Sequence, residues 1–90
     1  MTQTRVVNLR EEGYDVYIGR GSKFGNPFKI GPDGNRRDVI EKYKELFYKQ
    51  LDLRPEFKKD VESLRGKTLG CYCKPLACHG DVIVEYLLRL

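Results

Sequence analysis

Ninety residues carrying 17 Lys and Arg against 13 Asp and Glu, a net charge of +4, leave room for one domain with one modest core. That charge is a mild bias toward anionic partners and excludes a histone-like polycation. The longest apolar run, Val82 to Val84, is far short of a membrane span, and Met1-Thr2-Gln3-Thr4-Arg5 has no signal-peptide core, so a cytoplasmic protein without membrane association is expected.

In chain order, Arg5 to Arg10 reads as a first strand, with Val6, Val7 and Leu9 as its apolar side chains. Glu11-Glu12-Gly13 turns the chain, and Asp15 to Gly19 forms a second short strand. The two strands either form a hairpin or lie apart; periodicity does not choose between these.

Gly19 to Gly34 holds five of the nine glycines and two of the four prolines, so it reads as a long loop. Phe24, Phe28 and Ile30 give it apolar anchors. Arg20, Gly21, Ser22, Lys23, Phe24 and Asn26 form the candidate anion-binding set: glycine lets backbone N–H groups approach a ligand, and Arg, Ser and Lys donate to phosphate. The loop lacks the order of a Walker A sequence and of G-x-G-x-x-G. A purely structural Ω-loop is the competing reading.

Asn35 predicts an N-cap, with Asp38 completing a capping box. The helix behind it runs to about Leu51 and turns Val39, Ile40, Tyr43, Leu46, Phe47, Gln50 and Leu51 inward. Pro55 opens a second helix carrying Phe57, Val61 and Leu64, and Gly66 closes it. Lys67 to Cys73 reads as a third strand. A last helix from Gly80 or Asp81 to Leu90 is apolar on so many sides that it predicts either a core position or a homodimer through this end.

All three cysteines and the only histidine fall within nine consecutive positions, Cys71 to His79. Thiolate sulfur and imidazole nitrogen are the donors zinc prefers, and a closed structural site takes four. Cys71 and Cys73, two apart on a strand, share a face. Cys78 and His79 converge only across a turn, for which Pro75 and Gly80 are suited. Zn2+ on Cys71, Cys73, Cys78 and His79 is therefore expected. The alternatives are buried cysteines acting as small hydrophobes, a disulfide, and a cysteine nucleophile activated beside His79.

Two stretches, Gly19-Arg20-Gly21-Ser22-Lys23-Phe24-Gly25-Asn26-Pro27-Phe28 and Leu69-Gly70-Cys71-Tyr72-Cys73-Lys74-Pro75-Leu76-Ala77-Cys78-His79-Gly80-Asp81, resemble a family of small phage and bacterial proteins catalogued as domain of unknown function 4326. The likeness runs from Thr4 to the final helix. Where many of those proteins carry tryptophan, this chain keeps an aromatic ring in Phe24 and Tyr72. The resemblance implies a single folded unit from phage or bacteria, resident in the cytoplasm of the cell or infected host, and implies no reaction.

The expected architecture is a small single α/β domain over residues 1–90, with about three strands and three helices, stabilised by zinc at the last strand–helix junction. Its expected function is binding of nucleic acid or nucleotides through the basic loop and the zinc turn, with Tyr72 and Lys74 added to the ligand contacts and Arg36 and Arg37 nearby. Two other classes compete. One is an enzyme acting on a nucleotide or phosphorylated small molecule, its chemistry falling to Asp81, His79 or a cysteine. The other is an interaction factor using the apolar final helix.

Overall fold

The structure, a computed structural model, describes residues 3–74 and 76–90. Three strands, β1 (Arg5–Asn8), β2 (Val16–Tyr17) and β3 (Thr68–Cys71), form one parallel sheet in the order β1-β3-β2. Three helices accompany them: α1 (Arg36–Leu53), α2 (Pro55–Glu62) and α3 (Gly80–Leu88). The α/β class and the element count are as expected. The open choice between hairpin and separated strands resolves to separation, because β3 inserts between β1 and β2.

Register places Val6 against Leu69 and Asn8 against Cys71 on one side, and Val16 against Leu69 on the other. Each strand is shorter than its expected span of residues 5–10, 15–19 or 67–73. At the end of β1 the Asn8 side chain accepts from Arg10 N at 2.9 Å, while its carbonyl accepts from Glu11 N and Glu12 N. That local Asx turn competes with the ladder and stops the strand two residues early. β2 is pinned at its start by the Asp15 carboxylate, which accepts from Thr68 N at 2.8 Å.

The capping box of α1 forms as read: Asp38 N donates to Asn35 Oδ1 at 2.9 Å, and Asn35 N donates to Asp38 Oδ2 at 3.0 Å. Val39, Tyr43, Phe47 and Leu51 are its buried stripe, with Ile40, Leu46 and Gln50 only half-buried beside it. Phe47 meets the rings of Phe57 from α2 and Tyr86 from α3, both near edge-on, so three helices share one aromatic cluster. α3 turns Val82, Ile83 and Leu87 into the core and leaves Leu88 exposed, with Val84 and Tyr86 half-buried. Among the described residues no helix is long and apolar enough to cross a membrane.

One close approach sets where α3 begins. A Cβ on Gly80 would lie 2.6 Å from Ile18 Cδ1 and 2.8 Å from Val6 Cγ2, so only glycine lets this helix end touch the sheet.

The capping box carries a testable cost. Asn35→Ala should lower unfolding free energy by about 1 kcal/mol, the usual loss for an N-cap, with the urea m-value unchanged. A chemical denaturation curve superimposable on the parent's would show that the cap adds nothing.

Candidate functional site

β3 is the central strand, and it carries Cys71 to the carboxyl edge of the sheet, where the residue is buried. The chain must then reverse into α3 within a few residues. Asp81, in the first turn of α3, organises that reversal. Its Oδ2 accepts from Cys78 N at 3.0 Å, and its Oδ1 pairs with Lys74 Nζ at 2.6 Å. Asn8, at the end of β1, donates through Nδ2 to Lys74 O at 2.8 Å. Pro75, expected to help make the turn, lies outside the described residues.

The reversal gathers the sulfurs of Cys71, Cys73 and Cys78 so that all lie within 4.8 Å of one another, and these three cysteines could hold a metal ion. Tetrahedral thiolate coordination at about 2.3 Å per bond sets sulfurs about 3.8 Å apart. Cys71 and Cys78 are at 2.7 Å, so a metal entering between them parts that pair by about 1 Å. Backbone N–H groups already face two of the sulfurs, Cys73 N on Cys71 at 3.3 Å and Gly80 N on Cys78 at 3.4 Å. Such donors stabilise thiolate charge. The hydrogen bond from Cys78 pushes the Cys71 thiol down to about 5, whereas that same bond, with burial, pushes Cys78 up.

His79 stands beside the trio, outside the group of mutually close sulfurs. Its Nε2 lies 2.6 Å from the Ile18 carbonyl and so carries the proton, which leaves Nδ1 as the lone pair, 3.6 Å from Cys78 Sγ. Burial lowers its pKa and keeps the ring neutral. A metal-bound histidine commonly donates its other N–H to a carbonyl in this way. The Tyr43 ring packs near edge-on to the imidazole, and Tyr43 Oη donates to Phe24 O at 2.8 Å.

A cleft of about 200 Å³ opens beyond the carboxyl ends of β2 and β3. Its lining includes Cys71, Cys73, Cys78 and His79 on one side and Arg20, Arg36, Tyr17, Tyr72 and Phe28 elsewhere. Among the described residues no Asp or Glu lines it. The glycine-rich loop and the cysteine turn thus meet at one sheet edge, the position where open α/β sheets take their ligands.

Of the expected anion-binding positions, Arg20, Asn26 and Tyr72 line the cleft, and Gly21, Ser22, Lys23, Phe24 and Lys74 do not. The displaced side chains have other partners. Ser22 Oγ donates to Gly19 O at 2.7 Å, Lys23 pairs with Asp60 at 3.0 Å, and Lys74 is held by Asp81. Phe24 is buried against Phe57. Gly21 takes a left-handed φ of 88°, which a turn requires. Within the cleft, Asn26 is committed to scaffolding, donating to Val39 O and accepting from Phe28 N. Asp81, considered for chemistry, has both oxygens engaged in shaping the turn. Tyr17 and Phe28 were not among the expected ligand contacts; only knowledge of which strand ends adjoin brings them to the site.

Two outcomes follow for the metal. Asp81→Ala should weaken metal binding about 10- to 100-fold, the range for outer-shell partners, as read by competition with a chromophoric chelator; parental affinity would remove Asp81 from this role. Because burial and the bond to Cys71 push the Cys78 thiol up, metal uptake should release protons, and affinity should rise with pH. A weakly buffered titration with a pH indicator reads both.

Comparison with known proteins agrees with the motifs. An uncharacterised 12.4 kDa protein from the nrdA-td intergenic region of Enterobacteria phage T4 is 42% identical over 87 residues, covering 96% of this chain and 79% of the phage protein. No solved structure gives a significant match. The family model described as Domain of unknown function (DUF4326) matches residues 2–89, and the chain belongs to that family.

Proposed function

We propose that this protein is a zinc-centred domain that binds nucleic acid or nucleotides in the cleft beyond β2 and β3. One observation carries the reading: the three clustered sulfurs form a wall of a cleft that, among the described residues, also holds two arginines and no carboxylate. Soft thiolate donors select zinc over the hard divalent cations. His79 Nδ1 supplies the fourth donor, and Ile18 fixes its tautomer. Four protein ligands close the coordination sphere, so the metal organises the cleft and leaves no site for an activated water. The arginines supply the attraction. Arg20 is exposed at the rim, and Arg36 is positioned by its donation to Ala77 O at 3.1 Å.

Protein purified without added zinc should contain about one zinc per chain, as a single Cys3His site requires. Cys73→Ser and Cys78→Ser should lose the metal and most of the folding stability; a variant retaining both is not a ligand mutant. Arg20→Ala and Arg36→Ala should fold as the parent does and bind short DNA, RNA or nucleotides more weakly, with a shallower salt dependence. Absence of binding to any of these at low salt would defeat the reading.

A further inference from the structure

Resting on that reading, we infer that the occupant is a free mononucleotide, its base lodged among the aromatic side chains of the cleft and its phosphate held by Arg20, Arg36 and Arg10. Size speaks first. A cleft of about 200 Å³ has room for one heterocycle and its sugar and not for successive stacked nucleotides. Binding of a strand relies on a charged groove that follows the backbone over about four or more nucleotides. The walls speak next. Tyr17, Phe28 and Tyr72 are three aromatic side chains around one small volume, more than a bare phosphate or sugar phosphate needs. Tyr72 is 55% exposed although it sits at the end of the central strand, and the Tyr17 ring meets it near edge-on at 6.5 Å.

Arg10 adds a cation that neither the loop nor the cysteine turn contains. Its guanidinium lies 5.1 Å from the Tyr72 ring centroid, within cation–π range. That contact brings a third arginine, from the segment after β1, to an aromatic wall of the cleft. Among the described residues, none of Arg10, Arg20 and Arg36 makes an ion pair, whereas Lys23 and Lys74 both do. Both arginines of the cleft lining, Arg20 and Arg36, are thus without a carboxylate partner among the described residues. Arginine also matches phosphate bidentately where lysine offers a point charge.

The test is calorimetric titration of the zinc-loaded protein with the common ribo- and deoxyribonucleoside 5′-monophosphates, ribose 5-phosphate, inorganic phosphate and a mixed-sequence single-stranded DNA oligomer. At least one mononucleotide should bind with a stoichiometry near one. Ribose 5-phosphate should bind about tenfold or more weakly, because it lacks the stacking contact. Tyr72→Ala should lose about the same factor for the nucleotide and nothing for inorganic phosphate, while Tyr72→Phe keeps the parental affinity. Arg10→Ala should weaken every phosphate ligand together. Equal affinity for the nucleotide and ribose 5-phosphate overturns the base contact. Binding of the oligomer without any mononucleotide overturns the inference and leaves the nucleic-acid reading standing; binding of none of them overturns both.

Discussion

The turn between Cys71 and Asp81 is the constraint on which the remaining architecture depends. It is short, it must bring a central strand into a helix, and it draws on every layer of the molecule to do so. Asn8 ties it to β1, and the Ile18 carbonyl ties His79 to the exit of β2. Asp81 ties it to its own helix. None of these bonds is worth much more than about 1 kcal/mol by itself. Their joint effect is geometric: they fix where three sulfurs and one imidazole sit, and so fix one wall of the cleft.

His79 shows how the metal turn and the glycine-rich loop become one object. Its Nε2 holds Ile18, from which the loop departs, while its ring packs on Tyr43. Tyr43 in turn holds Phe24 O, inside the loop, and Asn26 reaches Val39 on the same helix. The loop is therefore clamped at its entrance and again in its middle. Its conformational entropy is lost on folding rather than on binding, which is the condition for a preorganised site.

The sequence was most informative where chemistry is local. Asn35 with Asp38, Pro55, and the stripe of Val39, Tyr43, Phe47 and Leu51 each need only a few neighbours to have their effect, and each appears as read. The Cys71–Cys73–Cys78 cluster was legible for the same reason: all its donors lie in one turn. Strand order was not legible, since inserting β3 between β1 and β2 is a property of contacts far apart in the chain. Strand lengths were overstated because periodicity does not see the Asx turn at Asn8. The side chains of the cleft divided along that line too. Composition pointed to Lys23 and Phe24, and the fold spends them on Asp60 and Phe57. Tyr17 and Phe28 reach the cleft only through tertiary structure.

Magnitudes set the weight that a metal in this turn would carry. A domain of this size has a net stability of about 5–15 kcal/mol. Structural zinc in small domains contributes about 10–16 kcal/mol of apparent binding free energy. With zinc bound as proposed, the metal outweighs any single contact in the core, including the Phe47 cluster. The cysteines of that turn also line the cleft, so what steadies the turn would steady the cleft wall beside Tyr72.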